Sequence, residues 1–380
     1  MISYWEQQSF TQYTYIVIGA GIVGISTAIE LRERHPAARI LVLERGLLPT
    51  GATTRNAGFA CAGSATELLE DLETHTEAAV VQLFLRRRRG LQRLRSRLGD
   101  AAIRYDAAGG YELIRKEELY ALDKIGYLNA LLRPHLGEDV FEVASHLLPR
   151  FGFAPQHVKA LIRNRGEAGI HSGELVRSIL VLAQQSGIEI MTGARVLSFS
   201  EEAGCVKIFA ENAARQTPLV LAAQQLCICT NAFAKELLPD EDVVPGRGQI
   251  LITEPIDNLP FRGVFHLERG YYYFREIDGR VLLGGGRNLD FEGERSTAFA
   301  LSDHIQQDLE RKLHDLILPG RKDIKIAQRW AGIMAFGATK GPVVKAFSPR
   351  IAGAFRMGGM GVALGSEVAA EVAGIMCHGS

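Results

Sequence analysis

The sequence lacks several features that mark specialised classes of protein. Lys and Arg number 43, as do Asp and Glu, so the formal net charge is zero and no overall basic field attracts nucleic acid or anionic membranes. Apolar runs such as Ile179–Ala183 fall far short of the roughly 18 residues that a membrane span needs. The amino terminus has neither a basic segment nor a long apolar one, which predicts no secretory signal. We therefore expect no membrane span and no nucleic-acid partner.

Cysteine and histidine do not occur in the spacings that are typical of disulfide frameworks or metal sites. The five cysteines are odd in number and include no CxxC pair, which argues against a disulfide framework and a Cys-rich zinc site. The ten histidines form no HxH or HExxH motif, so we predict no bound metal. These absences favour a reducing compartment, and we predict a cytoplasmic protein.

Glycine-rich turns are what the sequence does contain. Tyr13–Ile18 predicts a buried strand, and Ile22–Arg34 has the apolar spacing of a helix. The GxGxxG pattern between them is built on Gly19, Gly21 and Gly24. In such a pattern the first glycine permits a tight turn, the second lets the backbone approach a pyrophosphate, and the third allows close helix–strand packing.

An acidic residue completes this pattern. Glu44 lies 20 residues beyond Gly24, at the end of the next predicted strand, where a carboxylate would accept ribose hydroxyls. The strand, the helix and the acidic residue together predict a dinucleotide site, with an incidental glycine-rich turn as the alternative.

A second glycine-rich turn favours FAD over NAD. Gly358–Gly361 lies between a predicted strand, Ile351–Phe355, and a helix that begins near Val362. Helix N–H groups at such a turn would stabilise negative charge on a reduced flavin, although a plain strand–helix turn is the alternative. A second strand–GxGxxG–helix unit for a nicotinamide nucleotide is absent, because Gly284–Gly286 has no helical continuation.

The order of predicted elements indicates an α/β fold with two domains. Strands and helices alternate at both ends of the chain, and a β-rich stretch, 246–286, lies between them. We predict a doubly wound, Rossmann-like FAD-binding domain and a second, β-rich α+β substrate domain. The FAD-binding domain is predicted to be discontinuous and to comprise residues 1–85, 150–243 and 328–380, and the substrate domain residues 86–149 and 244–327.

Several segments, taken in order, resemble the D-amino-acid oxidase, glycine oxidase and sarcosine oxidase superfamily of FAD-dependent oxidoreductases. They are IVIGAGIVGISTAIEL (16–31), LVLERG (41–46), GATTRNAGF (51–59), GIEIMTGARV (187–196), CICTNAF (227–233), YYYFREIDGRVLLGGG (271–286), RWAG (329–332) and FRMGGMGVALG (355–365). The resemblance implies that FAD contacts Gly19, Gly21, Gly24, Glu44, Arg45, Thr53, Thr54, Arg55, Asn56, Ala57, Gly58, Val196, Thr230, Asn231, Gly358, Gly359, Met360, Gly361 and Val362.

The resemblance also bears on how FAD is attached. Some members of the superfamily bind FAD covalently, through a Cys that follows the Trp-x-Gly segment or a His in the loop after the glutamate-bearing strand. Here residues 333–342 contain no Cys, and the loop has Arg55 and Asn56 in place of His. We therefore predict non-covalent FAD. Cys61 could lie near the flavin, but a small buried packing residue is the favoured interpretation.

Amino-acid oxidases of this superfamily commonly bind the substrate carboxylate with an Arg soon after the Trp-x-Gly segment. Met334 occupies about that position here, which argues against a simple glycine or D-amino-acid substrate. The replacement cations are Arg275, Arg287, Arg329 and Lys340, each with a surface or structural role as the alternative. Strand alternation directs Tyr271 and Tyr273 to one face and Tyr272 to the other. We predict catalytic roles for Tyr271, Tyr273, Arg275 and Arg329, with sheet packing as the alternative for the tyrosines.

The resemblance implies a flavoenzyme that oxidises a C–N bond. We predict that an amino acid or amine loses a hydride to flavin N5 and becomes an imine, and that oxygen or another acceptor takes the electrons. One alternative is an FAD-dependent 2-hydroxy-acid or polyol-phosphate dehydrogenase. Another is a non-catalytic flavin-binding subunit that docks through the basic helix around Arg86–Arg89, although a solvated basic face is the favoured interpretation of that run. A nicotinamide dehydrogenase is the weakest option.

Overall fold

The fold was determined as a computed structural model that describes residues 3–212 and 217–378. The helices are α1 (Tyr4–Phe10), α2 (Ile22–Arg34), α3 (Ala52–Arg55), α4 (Ala65–Thr74), α5 (Glu77–Leu98), α6 (Tyr120–Leu136), α7 (Leu148–Phe151), α8 (Ser172–Gln185), α9 (Asp303–Lys312) and α10 (Gly361–His378).

The strands of the first third of the chain are β1 (Gln12–Ile18), β2 (Ile40–Leu43), β3 (Phe59–Ala60), β4 (Gly110–Ile114) and β5 (Phe141–Val143). The middle strands are β6 (Ala160–Asn164), β7 (Ala168–Gly169), β8 (Glu189–Met191), β9 (Val196–Glu201), β10 (Val206–Ala210) and β11 (Leu219–Ile228). The last strands are β12 (Val244–Thr253), β13 (Val264–Leu267), β14 (Tyr272–Ile277), β15 (Arg280–Gly285), β16 (Ile326–Phe336), β17 (Val343–Ser348) and β18 (Ile351–Phe355).

The first sheet has β1 at its centre. Its order is β17-β18-β11-β1-β2-β8, and β9 and β10 extend it from β11 as antiparallel strands. β1 pairs in parallel with both β2 and β11. Ile16 and Val17 are fully buried although they point to opposite faces, as expected for a parallel strand covered on both sides. This confirms the predicted α/β fold.

Helices from both ends of the chain pack on this sheet. α10 lies against α2 and α5, and small residues allow the close approach. A Cβ added at Gly90 of α5 would lie 2.0 Å from the carbonyl oxygen of Ala363, and one at Gly365 would lie 2.9 Å from Ile22. Because β18 also pairs with β11, the two ends of the chain form one structural unit.

The basic run on α5 is paired within the molecule. Arg86 forms an ion pair with Glu371 of α10, Arg89 and Arg93 with Glu367 of α10, and Arg93 and Arg97 with Glu30 of α2. The run is therefore only partly a solvated face. Most of its charge is compensated by carboxylates of neighbouring helices, which leaves little for an acidic partner.

The second sheet is mostly antiparallel, in the order β16-β12-β15-β14-β13-β4-β6-β5. Its core is aromatic: Phe265 of β13 and Phe274 of β14 stack with ring centroids 4.6 Å apart. Helix α9 covers this side with Ile305 and Leu309, both fully buried. The opposite face of β14 and β15 is left to face the first sheet.

The two sheets divide the chain somewhat differently from the predicted domain boundaries. β6 and β16 pair within the second sheet, whereas residues 160–164 and 328–336 were assigned by sequence to the FAD-binding domain. Sequence periodicity identifies a strand but not the strand with which it pairs. β16 pairs with β12 at ten residue positions, and the local sequence of neither strand predicts this pairing. The division into two domains itself stays a prediction.

Most predicted elements lie within a few residues of their positions. The helix predicted at Ile22–Arg34 has those bounds, and the strand predicted at Ile351–Phe355 is β18. The helix predicted to begin near Val362 begins at Gly361. Within the described ranges, the helices are too short or too polar to span a membrane.

Candidate functional site

A cavity of about 580 Å³ lies between the two sheets, at the carboxyl ends of β1 and β2. Open α/β sheets bind ligands at this edge. Most residues predicted to contact the cofactor line it: Gly19, Gly21, Glu44, Arg45, Thr53, Arg55, Asn56, Ala57, Val196, Thr230, Asn231, Gly358, Gly359, Met360, Gly361 and Val362. The structure thus brings together segments separated by more than 300 residues.

Three residues of the predicted cofactor set lie outside the lining, and each has a structural place. A Cβ at Gly24 would lie 1.9 Å from the carbonyl oxygen of Gly19, so Gly24 permits close packing of α2 on the turn. The Thr54 hydroxyl donates to the carbonyl oxygen of Pro49 at 2.6 Å. Gly58 has a left-handed conformation, with φ +74°, and its N–H donates to Asn56 Oδ1 at 2.8 Å.

The turn after β1 is held by polar side chains. Glu44 Oε2 accepts from the N–H of Ala20 at 3.0 Å, and its Oε1 accepts from the N–H of Gly46 at 2.9 Å. Thr53 Oγ1 accepts from the N–H of Ile22, the first residue of α2, at 3.1 Å. These bonds fix the Glu44 carboxylate and the amino terminus of α2 at the cavity wall. A helix amino terminus of this kind suits a phosphate group.

The turn before α10 is tied to the end of β11. Asn231 Oδ1 accepts from the backbone N–H groups of Arg356 and Met357 at 3.1 and 3.2 Å. Gly358 and Gly359 follow with φ of +57° and +80°, a conformation that glycine adopts without strain. The first turn of α10 therefore faces the cavity with its N–H groups.

Thr230 offers this cavity a polar atom that the described residues leave unused. Its hydroxyl oxygen is buried and has no hydrogen-bond partner among them. Buried hydroxyls are normally bonded, so an unsatisfied one at a cavity wall points to a ligand. Arg55, in contrast, is used by the protein: it donates to the carbonyl oxygens of Thr50 and Ala331 at 3.1 and 2.9 Å.

The predicted alternation of the three tyrosines is confirmed. Tyr271 and Tyr273 line the cavity, whereas Tyr272 points into the core of the second sheet and donates to Asp308 Oδ2 at 2.6 Å. Burial raises the pKa of Tyr273 to about 12, so its phenol is neutral at physiological pH. Tyr273 can therefore donate a hydrogen bond into the cavity without carrying charge.

Both arginines predicted to be catalytic lie outside the cavity lining. Arg275 is buried and donates to the carbonyl oxygens of Gly58 and Ile170 at 2.6 and 2.8 Å. Arg329 donates to Gln306 and pairs with Glu310, both of α9, at 2.6 Å each. The residue order places both arginines near the cavity strands, but the direction of a long side chain depends on partners that are distant in sequence.

Arg287, another of the predicted replacement cations, lies at the cavity together with Met334. Both side chains line the cavity. The Arg287 guanidinium lies 4.2 Å from the ring centroid of Phe336 and 4.9 Å from that of Phe291. Its buried Nε has no hydrogen-bond partner among the described residues. Burial lowers the pKa of Arg287, but a guanidinium stays charged at physiological pH.

The other Arg and Lys side chains of the cavity lining are already engaged. Within 3–212 and 217–378, carboxylates pair with Arg45, Arg87, Arg195, Arg269, Lys340 and Arg356. Arg55 is bonded to backbone carbonyls. In the described part of the chain, Arg287 is thus the lining guanidinium whose donors are open.

Sequence reasoning missed a buried polar cluster at this wall. His266 of β13 lines the cavity, and its Nε2 lies 3.0 Å from Oε2 of Glu167. Cys61 is buried, as predicted, and lines the cavity as well. Ligand-type atoms of Cys61, Glu167 and His266 lie within 4.8 Å of one another, and the absence of a metal stays a prediction. No sequence motif surrounds Cys61, Glu167 or His266, so only their proximity in the folded structure identifies the cluster.

The comparison with protein families decides the class of this cavity. The family model described as DAO, FAD dependent oxidoreductase, matches residues 14–375. The chain belongs to this family. It is therefore an FAD-dependent oxidoreductase, which transfers electrons from a small-molecule substrate to an acceptor. The predicted family, FAD as the cofactor and the enzyme class are confirmed, whereas the non-covalent attachment of FAD stays a prediction.

Relatives in this family differ in the substrates that their names give. The chain is 24% identical over 379 residues to the probable oxidoreductase OrdL of Haemophilus influenzae, with 92% of this chain and 79% of the relative covered. It is 26% identical over 324 residues to L-2-hydroxyglutarate dehydrogenase of Escherichia coli, with 77% and 69% covered. The names alone leave the substrate class open.

Solved structures show the same fold. Glycine oxidase from Geobacillus kaustophilus superposes with a TM-score of 0.76 and covers 97% of this chain and 95% of its own, at 19% identity. At that identity the similarity shows the fold alone. The donor must therefore be inferred from the side chains of this cavity.

Proposed function

We propose that this protein oxidises the C–N bond of an amino acid or amine that carries one carboxylate. The observation that carries the proposal is the open Arg287 guanidinium in a cavity whose other described Lys and Arg side chains are engaged. One free guanidinium fits one carboxylate, and bidentate geometry would orient the donor. A dicarboxylate or a phosphate ester would bring further negative charge, for which the described lining offers no second free cation.

Aromatic side chains line the space for such a donor. Tyr273 of β14 and Tyr271, which directly precedes β14, would enclose the donor from the second sheet. In this proposal Arg287 binds and orients the donor, while the aromatic rings of Phe59 and Tyr273, with centroids 5.8 Å apart, exclude water from it.

We further propose that FAD is bound non-covalently and spans the cavity from the first glycine turn to the second. Its pyrophosphate would lie at Gly19, Gly21 and the amino terminus of α2, and its ribose at Glu44. The flavin would lie near Gly358–Val362, where the N–H groups of α10 would stabilise negative charge. FAD supplies, when bound, the two-electron oxidant of the reaction. Release of yellow cofactor on acid precipitation tests the non-covalent attachment.

The proposed function is tested by anaerobic reduction of the purified yellow protein. The donor panel contains glycine, sarcosine, L-proline, D- and L-alanine and benzylamine, with lactate, 2-hydroxyglutarate and glycerol phosphate as C–O donors. We expect bleaching of the visible flavin absorbance by one or more amines that carry a carboxylate. Bleaching by hydroxy acids alone would overturn the proposal.

Arg287→Gln separates the carboxylate site from the rest of the cavity. We expect it to weaken binding of the best carboxylate-bearing donor by about 30-fold or more, because a charge-assisted pair contributes roughly 2–3 kcal/mol. Arg295→Gln is the matched control, since Arg295 is exposed and, among the described residues, forms an ion pair with Glu292, at 3.6 Å. Equal affinity in Arg287→Gln and wild type would refute the role of Arg287.

A second candidate, oxidation of a 2-hydroxy acid, is favoured by one observation. An alcohol must lose its hydroxyl proton as the hydride leaves, and the His266–Glu167 pair could accept that proton. The 26% identical relative named for L-2-hydroxyglutarate agrees with this candidate. The same donor panel distinguishes the two.

A further inference from the structure

His266 has the environment of an imidazole that exchanges protons. Its ring lies at the cavity wall, edge-on to Phe59 at a centroid distance of 5.2 Å. Nε2 is held by Oε2 of Glu167 at 3.0 Å, whereas no described residue makes a hydrogen bond with Nδ1. A carboxylate that holds one ring nitrogen fixes the orientation of the ring and leaves the other nitrogen for a ligand.

Glu167 is well placed to hold this ring. The side chain is almost fully buried, and its second oxygen, Oε1, has no hydrogen-bond partner among the described residues. A buried carboxylate that is only half satisfied stabilises positive charge on its neighbour strongly, because the local dielectric is low. Glu167 therefore favours an imidazole that gains a proton.

The charged groups around the ring act in the same direction. Burial alone would lower the pKa of His266, but the nearby carboxylates of Glu167, Glu112 and Glu67 outweigh it and raise that pKa. The titratable and charged groups that face the ring from the surrounding elements are Cys61, Glu67, Arg87, Glu112, Glu167 and Tyr273.

The neighbouring titratable groups are poorly suited to take a proton at neutral pH. Burial raises the pKa of the Cys61 thiol well above its usual range, so Cys61 is already protonated. Tyr273 is also a neutral acid. Glu67 pairs with Arg87 at 3.0 Å, and Glu112 accepts hydrogen bonds from Ser64 and Thr66. His266 is left as the proton acceptor of this wall.

We propose that His266 takes up a proton from the heteroatom of the donor bound in the cavity, and that Glu167 is its positioning residue. For an amine the donor's ammonium N–H bond breaks, the proton forms an N–H bond with imidazole Nδ1, and the electron pair stays on the donor nitrogen. The inference deepens the proposed function, since only the neutral amine has the lone pair that forms the C=N bond. For a hydroxy acid the hydroxyl proton would follow the same route.

The first test is kinetic and uses the donor that bleaches the flavin fastest. The rate of anaerobic reduction is followed across pH in wild type, His266→Gln and Glu167→Gln. We expect the wild-type rate to rise with pH through one ionisation, because only the neutral imidazole accepts a proton. His266→Gln should lower the rate by about 10²–10⁴-fold and flatten the profile. Glu167→Gln should move the ionisation to lower pH.

His304→Gln is the matched control for these variants, because His304 is exposed on α9 and has no titratable partner at the cavity. We expect its rates and pH profile to match those of wild type. A His266→Gln protein that reduces within about threefold of wild type, with an unchanged profile, would overturn the proposal.

The second test does not depend on activity. Holoenzyme labelled with ¹³C at histidine Cε1 is titrated by NMR, and the His266 resonance is identified by its absence in His266→Gln. We expect its pKa to lie above the ordinary value of about 6.5 and to fall in Glu167→Gln. Identical titration in wild type and Glu167→Gln would overturn the positioning role of Glu167.

A bound metal would also overturn the inference, because a metal-bound nitrogen cannot take a proton. Elemental analysis of the purified holoenzyme decides this point. We expect no stoichiometric metal in the wild-type holoenzyme. A stoichiometric metal that is present in wild type and lost in both Cys61→Ser and His266→Gln would assign the cluster of Cys61, Glu167 and His266 to metal binding.

The outcomes separate the two proposals. If only hydroxy acids reduce the flavin, the C–N proposal fails while the His266 tests proceed with the hydroxyl donor. If an amine is oxidised and the His266 variants behave as wild type, the proton-transfer inference alone fails. If no donor in the panel reduces the flavin, both fail.

Discussion

The two walls of the cavity differ in how they are built. The wall contributed by the first sheet consists largely of backbone turns, where glycines and one carboxylate meet the ligand space. The wall contributed by the second sheet consists of long side chains, which include those of an arginine, a histidine and two tyrosines. Backbone turns depend on local sequence, whereas long side chains depend on distant partners. This difference explains why most residues predicted to contact the cofactor line the cavity, whereas Arg275 and Arg329 lie outside its lining. The contacts of these residues with FAD or with a donor stay predictions.

The largest expected effect tests the backbone wall. Gly24→Ala should prevent the native turn and abolish flavin retention, because its Cβ would lie 1.9 Å from a backbone oxygen that has little freedom to move. Cofactor content and thermal unfolding measure the effect. Gly126→Ala of α6 is the control, because within the described chain its added Cβ would have no neighbour within 4 Å apart from the adjacent residues and backbone of its own helix. It should be neutral or slightly stabilising. A yellow, stable Gly24→Ala protein would contradict this account.

The next prediction concerns Arg275, which lies on β14 of the second sheet but outside the cavity lining. Arg275→Met should lower the free energy of unfolding by about 2–4 kcal/mol, because two buried charge-assisted hydrogen bonds are lost. The Ile170 carbonyl loses its side-chain donor, and the Gly58 carbonyl is left with the N–H of Ile170. Its folded fraction should keep the donor affinity of wild type. Arg287→Gln should show the reverse, with weakened donor binding and little loss of stability. Denaturant unfolding and flavin reduction separate the two patterns, and a loss of donor affinity in both variants would break the distinction.

A smaller effect is expected in the helix layer behind the first sheet. Glu30→Gln should destabilise the protein by about 1–3 kcal/mol, since Glu30 is buried and pairs with Arg34, Arg93 and Arg97. Thermal unfolding should show the difference in stability between Glu30→Gln and wild type. High salt should reduce this difference only in part, because salt screens the exposed ion pairs more than the buried ones. Glu292→Gln, which removes an exposed pair, should change the melting temperature by less than about 1 °C.

The smallest effect is a pH dependence of stability. Because the folded-state pKa of His266 is raised, its protonation stabilises the native state fully below the unfolded pKa of about 6.5, and this contribution is lost as pH rises through the folded value. The stability difference between wild type and His266→Gln should therefore be larger at pH 6 than at pH 9. Thermal unfolding at both pH values measures it. A constant difference would mean that Glu167 does not shift the titration.

Much of the fold was predictable because its signals are local. The helix at Ile22–Arg34 and the turn that precedes it follow from apolar spacing and from glycine. The alternation of Tyr271, Tyr272 and Tyr273 follows from strand geometry. The partners of β6 and β16 were not predictable, because pairing over long sequence separations leaves no trace in either strand alone.

By itself, the sequence determined the α/β class, the glycine turn with its acidic partner and the family resemblance, because each depends on residues close together in the chain. Only the tertiary structure decided which cation of the cavity lining has no acceptor among the described residues and which histidine meets a buried carboxylate. Arg275, Arg287 and Arg329 are the same residue type. They differ because, in the described part of the chain, Arg275 and Arg329 donate hydrogen bonds whereas Arg287 has no hydrogen-bond acceptor. Whether a side chain finds a hydrogen-bond partner depends on the folded molecule, since only folding brings the two groups within hydrogen-bonding distance.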